Sequence, residues 1–377
     1  MIPEFWRTRS IQRISGTPAA VAVVDQRLLP FVIQTVTLQS SGDAIAALQQ
    51  MIVRGAPLIG VTGAYGIALA AQEAPNDQHF WGYLTERAEQ LTNARPTAIN
   101  LAWGVERMMK ELRQHSANAG HADINQVVAT AWLLADAIAD EDAATCNSIG
   151  LHGLPLIQEI SKRKNGGVVN ILTHCNAGRL ACVAWGTATA PIYHAHQAGI
   201  PVHVWVDETR PRNQGARLTT WELAEAGIPH TLIVDNSGGH LMQHGLVDIV
   251  LVGSDRTTRS GDVCNKIGTY LKALAAHDNG IPFYAALPSS TFDWEISDGV
   301  MQIPIEERAA DEVRCIEGVV DGAVGQAQIT LPDTPISNFG FDVTPARLVT
   351  GLITERGICA ASQQGIQTLF ADLFAKK

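Results

Sequence analysis

Five short apolar runs, all beyond Asn165-Gly166-Gly167, constrain this chain most. They are VVNILT (168–173), PVHVWV (201–206), HTLIVD (230–235), VDIVLV (247–252) and IPFYAAL (281–287). Helix-like stretches of varied length separate them. Runs this apolar suit strands buried on both faces, which requires helices on each side of a parallel sheet. The expected class is α/β: a Rossmann-like, mostly parallel sheet with flanking helices. A further strand is expected near 337–342 or within the tail.

The preceding sequence has a different period. From 43 to about 160, segments such as DAIAALQQMIVR, YLTERAEQLTNA and GVERMMKELRQH space apolar residues three and four apart, as helices do. Pro57, after Arg54-Gly55-Ala56, marks the first helical residue of a new helix. Earlier still, residues 20–24 and 29–38 are rich in Val, Ile and Thr and flank Asp25-Gln26-Arg27, the pattern of a hairpin. A mostly helical N-terminal domain with a short β-hairpin therefore precedes the Rossmann-like domain. The expected division is 1–145 and 146–377, inside a boundary region near 120–165.

With 377 residues there is room for two domains. Hydrophobic residues at 46% and charged residues at 17% argue for a large core and against disorder. The net charge of −10 repels phosphate backbones, so no nucleic-acid partner is expected. One small phosphate remains within reach, because local donors outweigh the total. No apolar run approaches the ~20 residues of a membrane-spanning helix. The opening MIPEFWRTRS, with Glu4, Arg7 and Arg9, lacks a signal core. A cytoplasmic protein without a membrane partner is expected. The six cysteines (Cys146, Cys175, Cys182, Cys264, Cys315, Cys359) form no CxxC pair, so no zinc knuckle is expected and free thiols are.

In open parallel sheets, ligands bind beyond the carboxyl ends of the strands. The five runs are followed by His174-Cys175-Asn176-Ala177-Gly178, Asp207-Glu208-Thr209-Arg210-Pro211-Arg212, Asp235-Asn236-Ser237-Gly238-Gly239-His240, Gly253-Ser254-Asp255-Arg256 and Pro288-Ser289-Ser290-Thr291. Four of the five carry ionisable side chains, a clustering stronger than any member of it. No GxGxxG follows the first run and no GxxxxGK[ST] occurs, so neither a dinucleotide nor a P-loop nucleotide is indicated.

Cys175 stands where a strand hands over to a helix, whose amides would favour a thiolate. The alternative is a small buried hydrophobe, the common state of free Cys. Cys182, seven residues on, reads as core. Asp255 ends an apolar run, where partial desolvation raises a carboxyl pKa and suits a general acid. The alternatives are a pair with Arg256 or a helix cap. Asn265-Lys266-Ile267-Gly268-Thr269, Arg54-Gly55-Ala56-Pro57 and Arg95-Pro96-Thr97 each put a basic residue at an expected helix entrance, where amides and cation together hold anions. Singly, each is equally a solvated surface charge; together they point to a shared anion site. Gln214-Gly215-Ala216-Arg217 opens another expected helix, placing Gln214 to read sugar hydroxyls.

These segments in combination resemble the methylthioribose-1-phosphate isomerase family. The matching blocks are RGAPLIGVTGAYG (54–66), ARPTAINLAWG (94–104), NILTHCNAG (170–178), DETRPRNQGARLTTWEL (207–223), GDVCNKIGTY (261–270), IPFYAALPSSTFD (281–293), PIEER (304–308) and FDVTPARLVTGLITERG (341–357). They extend over nearly the whole chain. The resemblance implies conversion of 5-methylthioribose 1-phosphate to 5-methylthioribulose 1-phosphate, in methionine salvage. It implies Cys175 as catalytic cysteine, acting as base or transition-state stabiliser, and Asp255 as proton donor. It implies Arg54, Gly55, Ala56, Arg95, Gln214, Asn265 and Lys266 as substrate contacts. It further implies a homodimer, no metal and no organic cofactor.

The wider superfamily includes ribose-1,5-bisphosphate isomerases and regulatory subunits of translation initiation factor 2B. A non-catalytic protein binding sugar phosphates or nucleotides is therefore an alternative, against which the retained Cys175 and Asp255 speak. Residues 236–239, residues 257–260 and Cys264 depart from the family pattern, so the pocket for the sugar's 5-substituent is expected to differ. That leaves a 5-deoxyribose-1-phosphate isomerase as a second alternative. A ribose-1,5-bisphosphate isomerase would need a second phosphate site, for which Arg259 is the candidate.

Overall fold

The structure, a computed structural model, describes residues 7–16, 18–95, 98–118 and 123–374. Glu4, Pro96 and Thr97 lie outside the described residues. Three antiparallel strands come first: β1 (Ile11–Ile14), β2 (Ala20–Val24) and β3 (Thr35–Leu38), in that spatial order. The expected hairpin is β2–β3, with Val21 opposite Leu38. Its second strand begins at Thr35 rather than at 29. Pro30 has no N–H for a ladder, and Leu29 instead packs with Leu180 and Leu218.

Five helices follow: α1 (Ser41–Gln49), α2 (Ala56–Glu73), α3 (Phe80–Thr92), α4 (Ile99–Asn118) and α5 (Ile124–Arg163). A capping box between Ser40 and Asp43 starts α1. The helix stops at Gln49, short of the expected 54, and Met51 turns the chain with a φ of 62°. Ala56 rather than Pro57 is the first residue of α2. Apolar almost all round, α2 is buried along its length. It lies against α4 so closely that a Cβ on Gly104 would stand 2.3 Å from the Gly60 carbonyl oxygen. Along α5 the packing changes. Val127 to Ala139 face the helical core, whereas Cys146, Ile149 and Ile157 face the core of the central sheet.

Beyond α5 the chain forms β4 (Val169–Thr173), α6 (Ala190–Gln197), β5 (Val202–Asp207), α7 (Thr220–Glu225), β6 (His230–Ile233), α8 (Ser237–Gln243), β7 (Ile249–Val252), β8 (Arg256–Thr258), β9 (Val263–Lys266), α9 (Thr269–Asp278), β10 (Phe283–Ala286), β11 (Phe292–Asp293), β12 (Cys315–Val320), β13 (Ala323–Gln328), β14 (Phe341–Thr344), β15 (Gly351–Thr354) and β16 (Gly357–Cys359). The central sheet has the order β16-β15-β10-β7-β4-β5-β6. Every neighbouring pair is parallel except β15–β16. All five apolar runs supply its strands. The further strand exists in both expected places: the tail adds β15 and β16, while β14 joins a small sheet, β11-β8-β9-β14. No described helix is long and apolar enough to cross a membrane.

Candidate active site

Strand order reverses between β4 and β7. From β4 the chain adds β5 and β6 on one side; from β7 it adds β10 and β15 on the other. Connections diverging to opposite sides leave a crevice at the carboxyl ends of the two middle strands. Cys175 lies just beyond β4 and Asp255 just beyond β7. The cavity there is lined by Cys175, Asp255, Arg54, Gly55, Ala56, Arg95, Gln214, Asn265 and Lys266, so all nine expected residues meet.

No α-helix starts at Cys175, contrary to expectation. Beyond β4 the chain makes only a short turn, Arg179–Ala181, and the Cys175 backbone is left-handed with a φ of 66°. Without a helix terminus to favour a thiolate, burial dominates and pushes the thiol pKa up; the charges of Arg54 and Lys266 pull it partly back. The Cys175 thiol donates to Gln214 Oε1 at 3.0 Å. Neighbouring His174 has Nδ1 3.0 Å from Asp207 Oδ2 and Nε2 2.8 Å from the Ile267 carbonyl oxygen, bracing β4 to both β5 and the loop after β9.

Burial also raises the pKa of Asp255, against the opposing pull of Lys266, Arg54 and Arg95; Glu306 adds to the rise. The backbone N–H of Asp255 donates to the Cys264 carbonyl at 2.9 Å. Neither alternative role applies. Arg256 pairs with Asp293 at 3.2 Å, and the chain runs on into β8, leaving no helix to cap.

The cationic side is tied into the protein by contacts of its own. The Arg54 guanidinium donates to the side-chain and backbone oxygens of Asn176. Arg95 donates to Met51 Sδ and stands 3.6 Å from Glu306 Oε2. Nε of both arginines is buried without a hydrogen-bond partner among the described residues, a state that calls for an explanation such as an anion. Gly55 precedes α2 with a φ of 95°, and a Cβ there would stand 2.5 Å from Ala181 Cα. Only glycine fits both demands.

Asn265 and Lys266 lie on β9 rather than at a helix entrance. The first amides of α9 are already taken: Gly268 and Tyr270 N–H donate to the Asp342 carboxylate at 2.7 and 3.2 Å. The expected cradle of helix amides is therefore filled by a protein carboxylate. Lys266 itself reaches the cavity, donates to the Gly340 carbonyl at 2.6 Å, and sits 4.2 Å from the Phe341 ring centroid. Burial lowers its pKa, while Cys175 and Asp255 oppose the shift. Gln214 precedes a π-helical turn, Gly215–Thr219, that leads into α7.

The cavity wall also includes Met51, His174, Asn176, Thr187, Ser254 and Phe341. His174, Asn176 and Ser254 were visible in the sequence as neighbours of Cys175 and Asp255. Phe341 opens the FDVTP block. Met51 carried no signal. Residues 236–239, residues 257–260 and Cys264 are not on this wall, although Thr257 and Cys264 stand directly behind it, bonded to Ser254 Oγ at 2.8 Å and to the Asp255 N–H at 2.9 Å. Arg259 lies over the Phe374 ring at 4.6 Å, also off the wall.

The model of the initiation factor 2 subunit family matches residues 52–361. A methylthioribose-1-phosphate isomerase of Desulfatibacillum aliphaticivorans is 55% identical over 364 residues, covering 97% of each chain. The crystal structure of 5-methylthioribose 1-phosphate isomerase from Pyrococcus horikoshii superposes with a TM-score of 0.82 at 36% identity, covering 99% of both chains. Translation initiation factor eIF-2B subunit delta from A. fulgidus gives 0.76 at 36% identity, covering 96% of this chain and 99% of its own. The chain belongs to the initiation factor 2 subunit family, and its likeness to the methylthioribose-1-phosphate isomerases spans nearly its whole length.

Proposed function

We propose that this protein is an aldose–ketose isomerase that converts 5-methylthioribose 1-phosphate to 5-methylthioribulose 1-phosphate, with Asp255 as proton donor and Cys175 beside the reacting carbons. One observation carries the reading. A protonatable carboxyl and a thiol meet three cationic side chains, Arg54, Arg95 and Lys266, in one cavity at the reversal of the sheet.

A phosphate on the anomeric oxygen blocks simple opening to a free aldehyde. Asp255, whose pKa burial raises, gives its proton to the ring oxygen and the C1–O bond to that oxygen breaks. Positive character at C1 is shared with the phosphate-bearing oxygen. Hydrogen then moves from C2 to C1. Burial raises the Cys175 thiol pKa and so disfavours the thiolate that a base requires. We therefore read this step as a hydride shift, with the 2-hydroxyl proton returning to Asp255 and Cys175 stabilising the charge that develops. Solvent deuterium at C1 of the product would remove that route. The phosphate falls to Arg54, Arg95 and Lys266; the buried, unpartnered Nε groups of the two arginines support an anion there. Asn265, Gln214, and the Gly55 and Ala56 backbone complete the contacts.

The proposal includes a homodimer, supported by the edge strand β6, which among the described residues pairs only with β5, with exposed Leu232 and the exposed Val234 beyond it. It includes a cytoplasmic location, no nucleic-acid partner, and the division at 145/146, supported by the change of core along α5. The test is turnover of 5-methylthioribose 1-phosphate, 5-deoxyribose 1-phosphate and ribose 1,5-bisphosphate in parallel. The first should have the highest kcat/KM. Preference for the second moves the substrate assignment, and turnover of none removes the enzyme reading.

A further inference from the structure

Cys175 holds a conformation that any residue with a Cβ resists: its φ of 66° is in the left-handed region. Two buried threonines grip its backbone from opposite sides. The Cys175 N–H donates to Thr209 Oγ1 at 2.8 Å, and Thr219 Oγ1 donates to the Cys175 carbonyl at 2.6 Å. Thr209 is itself constrained. Its hydroxyl proton goes to the Asp207 carbonyl at 3.0 Å, which leaves the oxygen free to accept from Cys175. Its own φ is 65°, and its N–H donates to Asp235 Oδ1 at 3.0 Å, while the next amide, of Arg210, donates to Asp235 Oδ2 at 2.8 Å. One carboxylate at the end of β6 thus fixes the loop after β5, and that loop fixes the residue after β4. Thr209 is 1% exposed and is not on the cavity wall, so it acts on substrate only through Cys175.

We propose that Thr209, anchored by Asp235, is a positioning residue. It holds Cys175 in its left-handed backbone conformation and thereby aims the thiol at the reacting carbons. The proposal rests on Cys175 being catalytic. A thiol displaced by about 1 Å loses rate far more than affinity, because the phosphate contacts on other elements are untouched.

The experiment compares Thr209→Val, Thr209→Ser and Cys175→Ser with the wild type, measuring kcat and KM alongside the thermal midpoint. Thr209→Val should lower kcat by about tenfold to hundredfold with KM within about threefold. Thr209→Ser keeps the hydroxyl and should return kcat to within about threefold of wild type. A wild-type kcat in Thr209→Val, or an equal loss in Thr209→Ser, overturns the proposal. A Cys175→Ser variant that retains full turnover instead overturns the catalytic reading of Cys175, a distinct outcome. If Thr209→Val does not fold, Thr209→Ala with Thr209→Ser tests the same grip, with the same split expected and the same results overturning it.

Discussion

Burial moves Asp255 and Lys266 in opposite directions: the carboxyl is raised and the ammonium lowered, each opposed by the other's charge. In the roles proposed for these two residues, both shifts have a kinetic sign. Asp255 must be protonated to donate, so kcat should fall as pH rises through its raised pKa. Lys266 must be charged to hold phosphate, so KM should climb as pH rises through its lowered one. Lys266→Ala should raise KM by about tenfold to hundredfold, the worth of a charge-assisted hydrogen bond, with a smaller change in kcat. It should also abolish the alkaline climb in KM. An unchanged KM in that variant would take Lys266 out of the anion site. At this scale the sequence was most informative about which residues meet in the cavity and least about their state. The fate of the α9 amides shows why. The carboxylate that fills them, Asp342, is 74 residues from Gly268 in sequence, and no local pattern announces such a partner.

Elements with a long or pure pattern were legible: the five strands, the helical run, the β2–β3 pair. The small sheet was not. Its strands are two to four residues long, include polar positions such as Arg256, Asn265 and Lys266, and form by pairing β9 with the distant β14. Neither alternation nor length separates such strands from loop. Yet this sheet carries Asn265 and Lys266 into the cavity and follows directly on Asp255, so the least readable element has a direct part in the site. The start of α2 is the opposite case. Gly55 was legible within its motif, and its geometry explains the glycine. Gly55→Ala must accept a φ of 95° and a contact at 2.5 Å with Ala181 Cα. It should cost about 1–3 kcal/mol of stability and raise KM by displacing Arg54. Thermal unfolding and initial rates check this; a variant with wild-type midpoint and KM contradicts the close approach.

For the molecule as a whole, the site draws residues from Met51 to Phe341. The helical region contributes Arg54, Gly55, Ala56 and Arg95. The central sheet contributes Cys175 and Asp255, and the small sheet contributes Asn265 and Lys266. The shape of the cavity therefore depends on how the two regions pack, which α5 couples by packing into both cores. Sedimentation equilibrium should return twice the single-chain mass of 40.4 kDa; a single-chain mass would remove the proposed dimer. The most direct measurement is the rate of ketose 1-phosphate formation from 5-methylthioribose 1-phosphate by wild type, Cys175→Ser and Asp255→Asn, each verified as folded. A wild-type enzyme that turns over and two variants slower by about a thousandfold or more are the expected result. An Asp255→Asn variant at wild-type rate would contradict the account at its centre.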